Sequence, residues 1–192
     1  MILLLDVMGT LVHDPFFWEV PQFFKLRMEQ LLVYKHPTAW IEFEYNQRSE
    51  DSFLQDFFED GREYDRVGFC KMMRESYAWL DGMEELLREL HSSGVAMHAL
   101  SNYPVWYKWI EERLELSRFL QWSFVSCDTG SRKPSREAYT HPAETLGVSA
   151  SDCLFVDDRE SNCEAAREAG MDAIRFVDAT QLRAALNKRN VL

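Results

Sequence analysis

The chain opens on an unbroken apolar run, Met1-Ile2-Leu3-Leu4-Leu5, that stops at Asp6 and passes through Val7-Met8 to Gly9-Thr10. No polar residue alternates within the run, which suits a strand buried on both faces of a parallel sheet. Similar short apolar stretches predict strands at Val95–Leu100, about Trp122–Ser126, Cys153–Asp157 and Ala173–Val177. Between them, helical spacing and stop signals predict helices. One runs from Met83 to His91 and is stopped by Gly94; another runs from Val105 to about Leu116 with Pro104 at its start. Others cover Ser135–Leu146, the stretch after Asp158 up to Ala169 with Gly170 as its stop, and Ala179–Asn187. Pro142 falls inside the Ser135–Leu146 helix and is expected to kink or interrupt it, at ~3 kcal/mol in a regular helix interior. Strands alternating with helices at short spacing predict right-handed βαβ units and an α/β fold with a parallel sheet.

From His13 to Leu80 the pattern changes. Aromatic residues crowd this segment, and at Phe53, Phe57, Phe58 and Phe69, Met72, Met73 they fall at helical spacing. Amphipathic helices broken near Pro37 and Gly61 are expected, with no strand of the parallel sheet among them. The implied organisation is an α/β core made of residues 1–12 and 81–192, with a helical cap of residues 13–80 inserted after the first strand. Most aromatics of the insertion are expected to form its own core. Trp18, Trp40 and Tyr45 are the candidates for facing a cleft and stacking on an aromatic ligand.

Composition narrows the function classes. Of the 192 residues, 46% are hydrophobic and 28% charged, enough for a sizeable core. The net charge of −11 argues against nucleic acid or an anionic membrane as partner, because phosphate backbones need a basic face. A phosphorylated substrate would need local help from a metal or a lysine. The four cysteines, Cys70, Cys127, Cys153 and Cys163, form no Cys-x-x-Cys pair and are expected to be free thiols in a reducing compartment. The opening apolar run is too short for a membrane span and carries no basic leader. His36, His91, His98 and His141 show no metal-ligand spacing, and no heptad seam points to an obligate protein partner.

Polar residues close each of the first four predicted strands, where ligands of open α/β sheets sit. They are Asp6, Ser101-Asn102, Lys133 and Asp157-Asp158. Each alone is ordinary: Ser-Asn reads as a helix cap, Lys-Pro as a solvated loop, Asp-Asp-Arg as a turn. Gly9 permits a sharp turn, and the Thr10 hydroxyl suits either an anion or the turn itself.

Taken in order, Asp6-Val7-Met8-Gly9-Thr10, Ser101, Lys133 and Val156-Asp157-Asp158-Arg159-Glu160-Ser161-Asn162 resemble the motifs of the haloacid dehalogenase superfamily. The resemblance implies a Rossmann-like three-layer fold with sheet order 3-2-1-4-5, which brings Asp6 beside Asp157 and Asp158. Carboxylates that close repel one another, and a hard oxygen-only cluster suits Mg²⁺. By resemblance the ligands are Asp6, the backbone carbonyl of Met8, Asp158, and Asp157 directly or through water. The same resemblance assigns the phosphate of a small monoester to Thr10, Ser101, Asn102 and Lys133, with Asp6 as the nucleophile that forms an aspartyl-phosphate.

Position 8 departs from that pattern. Phosphatases of the superfamily usually carry there a second Asp that protonates the leaving oxygen and later activates water. Met8 does neither, and losing such a group typically costs about 10²–10⁴ in rate. His13 is a candidate substitute, against the plainer reading of a solvated loop histidine. The runs His13-Asp14-Pro15-Phe16-Phe17, Trp40-Ile41-Glu42-Phe43-Glu44 and Ser101-Asn102-Tyr103-Pro104-Val105-Trp106-Tyr107 are similar to the plant chloroplast-type flavin mononucleotide (FMN) hydrolases of the superfamily. That likeness implies hydrolysis of FMN to riboflavin and phosphate, in the cytoplasm or the plastid stroma. Two other readings stand beside it. A dehalogenase-like attack of Asp6 on carbon is permitted by Met8 and opposed by the Asp157-Asp158 pair. A non-catalytic binding protein is suggested by Met8 and opposed by the retention of Asp6, Ser101, Lys133 and Asp158 together.

Overall fold

The computed structural model describes residues 1–192. Strand β1 (Ile2–Leu5) is the middle of a five-stranded sheet, and Leu3, Leu4 and Leu5 are all buried. It pairs in parallel with β2 (Ala96–Ser101) on one side and β4 (Cys153–Asp157) on the other. Strands β3 (Gln121–Val125) and β5 (Asp172–Arg175) complete the sheet as parallel edges. The order is 3-2-1-4-5, as the resemblance implied. The order reverses between β1 and β4, so the ends of these two strands open on the same crevice.

Between β1 and β2 lie five helices of the insertion and one of the core. The five are α1 (Glu19–Phe24), α2 (Met28–Tyr34), α3 (Ala39–Glu44), α4 (Glu50–Gln55) and α5 (Arg66–Ser76); the sixth is α6 (Met83–Ser92). The later helices are α7 (Tyr107–Leu114), the short α8 (Ser126–Thr129), α9 (Glu137–Leu146), α10 (Glu160–Glu168) and α11 (Ala179–Asn187). Side chains alternate across a strand. Leu3 and Leu5 therefore join α6, α7 and α11 in the larger core cluster, which also takes in the insertion, while Leu4 joins α9 and α10 in the smaller one on the opposite face.

Helix α9 runs through Pro142 as one continuous helix, so of the expected kink or interruption the interruption does not occur. Proline in its second turn removes one bond, the one that would reach the Ala138 carbonyl. The neighbouring Ala138, Tyr139 and Ala143 are buried against Phe155 and Cys163, and that packing holds the helix through the missing bond. Helix α7 is shorter at both ends than the periodicity predicts: Pro104 and Val105 form a turn in which the Tyr107 amide bonds to the Pro104 carbonyl at 3.0 Å, and Glu115 ends the helix with a φ of +51°.

The insertion breaks at the expected Pro37 and Gly61 regions, and also at Lys25 and Asn46, both with positive φ. Its aromatics form mainly its own core: Phe24 meets Phe57, Phe58, Tyr64 and Phe69 at centroid distances of 4.8–5.5 Å. Trp106, fully buried at the start of α7, packs against Trp40, Phe43 and Phe53 and donates its indole N–H to Glu50 at 2.7 Å. The chain leaves and re-enters the sheet side by side. The His13 amide bonds to the Ala78 carbonyl and the Leu80 amide to the Leu11 carbonyl, both at 2.9 Å, around an antiparallel bridge between Val12 and Trp79. No helix is long and apolar enough to cross a membrane, and all four cysteines are free.

Candidate active site

Asp6 follows directly on β1, its amide held by the Val156 carbonyl at 2.9 Å, so its carboxylate projects from the sheet's carboxyl edge. The chain then turns back: the amides of Leu11 and Val12 both bond to the Val7 carbonyl. Gly9 sits in this turn at φ +77°, and a Cβ there would lie 3.1 Å from Asp158 Oδ2. Glycine is thus required twice, for the backbone and for the close approach of a carboxylate.

Asp157 ends β4 and Asp158 follows it, and carboxylate oxygens of Asp6, Asp157 and Asp158 all lie within 4.8 Å of one another. Lys133, 2% exposed, places Nζ 2.7 Å from Asp6 Oδ1 and 2.7 Å from Asp157 Oδ2. Burial drives the Asp6 carboxyl up, Lys133 pulls it back and Asp157 raises it again, leaving its pKa at about 7. Burial weighs against the Lys133 ammonium, but Asp157 and Asp6 outweigh it, so this lysine titrates above its ordinary value. Asp158 is raised by burial and by Asp157. One ammonium faces three buried or half-buried carboxylates, a donor set of hard oxygens with charge left to balance. It fits a hard divalent cation such as Mg²⁺.

Three residues expected at the phosphate or metal, Thr10, Asp157 and Ser101, do not line the cavity. Thr10, fully buried, donates its hydroxyl to Asp6 Oδ2 at 3.2 Å and accepts the Asp158 amide at 3.1 Å. Asp157 is anchored by both oxygens to the Asn162 amide and by Oδ1 to the Arg159 N–H. Ser101 ends β2 with its hydroxyl buried and without a protein partner, a state that buried polar groups rarely keep. Asn102 lines the cavity, but its side chain clasps the Lys133 backbone, donating to its carbonyl and accepting its amide, each at 2.8 Å.

Asp6, Met8, Asn102, Lys133 and Asp158 line a cavity of about 370 Å³ together with Trp40, Phe53, Phe57, Phe69 and Met73. Of the proposed stacking aromatics, Trp40 lines the cavity. Trp18 and Tyr45 do not, and Trp18 is 66% exposed. Phe16 and Phe17 take part instead. His13 is outside the cavity, its Nε2 bonded to both carboxylate oxygens of Glu19 at 2.9 Å.

Sequence reasoning passed over Asp14, Glu44, Arg132 and Arg159 as site residues, and all four line the cavity. Glu44 is buried at the end of α3, where Oε1 accepts the Trp40 indole N–H at 2.7 Å and Oε2 accepts from Arg132 Nε at 2.5 Å. Burial raises the carboxyls of both Asp14 and Glu44. Arg132 was signalled only by its place next to Lys133, and Arg159 by its place next to Asp158.

A profile of haloacid dehalogenase-like hydrolases matches residues 2–170. The flavin mononucleotide hydrolase 1 of Arabidopsis thaliana chloroplasts is 48% identical over 181 residues, 94% of this chain and 74% of the relative. The sesquiterpene phosphatase astK of Aspergillus oryzae is 35% identical over 99 residues, 50% of each protein. Among solved structures, a haloacid dehalogenase family enzyme of Bacteroides thetaiotaomicron, in complex with magnesium and inorganic phosphate, superposes with a TM-score of 0.73. It is 18% identical over 94% of this chain and 97% of that one, a likeness of fold. The sheet order and the carboxylates at its switch point are those of an α/β protein with its site at the carboxyl edge, and the family match makes it a hydrolase. The chain belongs to the haloacid dehalogenase-like hydrolases.

Proposed function

We propose that this hydrolase is a Mg²⁺-dependent phosphatase that converts FMN to riboflavin and phosphate through an aspartyl-phosphate on Asp6. The observation that carries the reading is one cavity with two chemistries. A buried carboxylate gripped by Lys133 shares the cavity wall with Asp158 and with the rings of Trp40, Phe53, Phe57 and Phe69. A phosphate monoester with a flat, apolar leaving group matches both, and about 370 Å³ lies within the range of small-ligand sites. The 48% identity to a protein named for FMN supports the substrate. That relative's chloroplast origin supports the plastid stroma as the compartment.

Asp6, Asp158 and the Met8 backbone carbonyl would hold the metal, with Asp157 in support. When bound, Mg²⁺ would balance the carboxylates and draw charge from the phosphoryl oxygens. The Lys133 ammonium, which lines the cavity, offsets the phosphate dianion. A carboxylate oxygen of Asp6 bonds to phosphorus as the bond to the ester oxygen breaks. Water then bonds to phosphorus, the Asp6–phosphorus bond breaks, and phosphate leaves. Thr10 fixes the Asp6 carboxylate, and Asn102 fixes the Lys133 loop. In this reading residues 13–80 are the cap that selects the leaving group and excludes bulk water over a core of residues 1–12 and 81–192.

Met8 on the cavity wall favours a second reading, a binder of phosphorylated ligands without turnover. Phosphate release from FMN and from p-nitrophenyl phosphate separates the two, measured with Mg²⁺ or EDTA for the wild type and Asp6→Asn. Metal-dependent release abolished by Asp6→Asn is the expected result. Tight FMN binding with no release by the wild type would replace the phosphatase with the binder.

A further inference from the structure

Aspartyl-phosphate chemistry needs a proton for the departing ester oxygen and a base for the incoming water, and Met8 supplies neither. Candidate groups on the cavity wall can be taken in turn. Glu44 is spent on Trp40 and Arg132, and Tyr103 shares its hydroxyl with Tyr77 at 2.9 Å. His36 turns Nδ1 to the amides of Thr38 and Ala39.

Asp14 is different. It lines the same cavity as Asp6, Met8 and Asp158, and it is reached by the turn that leaves the nucleophile. Its Oδ1 accepts the Phe16 amide at 3.0 Å as the cap of a short 3₁₀ turn, which fixes the side chain. Its Oδ2 has no protein partner. A capping aspartate normally turns to solvent, whereas this one is half-buried on the cavity wall. Burial raises its carboxyl, with the Phe16 amide, Arg159 and His13 opposing. That favours a proton held ready for transfer.

Resting on the phosphatase reading above, we propose that Asp14 is the general acid and base of this hydrolase, replacing the carboxylate absent at Met8. In the first step its carboxyl proton passes to the ester oxygen as the phosphorus–oxygen bond breaks and the Asp6–phosphorus bond forms. In the second its carboxylate takes a proton from water as the water oxygen bonds to phosphorus and Asp6 is released. Asp14 is thereby returned to its starting protonation state.

Asp14→Asn tests this, since Asn keeps the acceptor that caps Phe16 and so keeps the fold. p-Nitrophenolate leaves without a proton; the ribityl alkoxide of FMN does not. With p-nitrophenyl phosphate the variant is expected to give a first-turnover burst like that of the wild type, followed by a steady state slowed about 10²–10⁴-fold. With FMN the first turnover itself is slowed by a similar factor, and Asp14→Glu recovers part of it. Equal slowing of the first turnover on both substrates, wild-type rates on FMN, or the same signature from His36→Gln instead would overturn the assignment. A wild type inactive on both substrates would remove the phosphatase reading and this role with it, a result visible before any Asp14 variant is made.

Discussion

Arg132 and Glu44 join the two parts of the chain at the cavity: Arg132 Nε donates to Glu44 Oε2 at 2.5 Å, one residue before Lys133. The same α3 terminus accepts the Ser126 hydroxyl on the Glu44 carbonyl at 2.7 Å. Glu44→Gln keeps an acceptor for Trp40 and removes the charge that faces Arg132. Losing one partner of a charge-assisted bond costs about 1.5–3 kcal/mol, and Arg132, a quarter exposed, recovers part of that from water. The expected outcome is a KM for FMN raised about tenfold, since 1.4 kcal/mol is one decade, with kcat changed less. An unchanged KM would mean that the pair does not shape the cavity.

Lys133 bridges two buried carboxylates, so its removal is felt first in stability. Taking away one partner of a buried ion pair costs about 3–5 kcal/mol. Lys133→Met in EDTA should show a urea midpoint lowered to match, and saturating Mg²⁺ should restore part of it by supplying the missing positive charge. Equal losses with and without metal would argue against a shared cation site.

The pH dependence of the metal-free protein follows from Asp6. Its carboxyl titrates near 7 in the folded chain, against an ordinary value of 3.8. Between those values the folded state holds a proton that the unfolded state has released, so stability falls as pH rises. Asp14, Glu44 and Asp158 are raised and push the same way. Denaturation midpoints in EDTA should therefore decline from about pH 4 to about pH 7 and level off above, and Asp6→Asn should flatten the slope. A midpoint that climbs through this window would contradict the buried-carboxylate account.

Gly9 offers a sharper probe of the same cluster. Alanine there faces the left-handed backbone, about 1–2 kcal/mol, and a Cβ 3.1 Å from Asp158 Oδ2. Gly9→Ala is expected to weaken Mg²⁺ binding, read by calorimetry, by more than the thermal destabilisation alone explains. Wild-type affinity in a destabilised protein would show that Asp158 is not a ligand.

How much of this was legible depends on how local each signal is. The strands and the carboxylates at their ends could be read because an apolar run and its terminus are contiguous. The sheet order came from the likeness to a family, since periodicity is silent on which strands are neighbours. The cavity wall was harder. Trp18, Trp40 and Tyr45 look alike in sequence, yet Trp40 alone reaches the cavity, because burial depends on what each helix packs against. Thr10 and Asn102 were read as phosphate ligands, and their side chains are instead bonded to neighbouring protein groups, which also demand partners. His13 and Asp14 are adjacent. Glu19, a partner only the folded chain reveals, takes His13 away and leaves Asp14 in the cavity.

The Val12–Trp79 bridge has a wider consequence. The chain between its two residues leaves and re-enters the core at one closed neck, so helices beyond it can change without disturbing the register of β1 and β2 wherever the bonds from Glu44 to Arg132 and from Trp106 to Glu50 are kept. The carboxylates and the lysine stay where they are while the wall around the leaving group is rebuilt. Grafting residues 13–78 of a relative onto this neck would transplant an appetite for a different ester onto unaltered phosphorus chemistry. Because Asp14 lies just beyond the neck, each such graft would have to bring its own proton source with it.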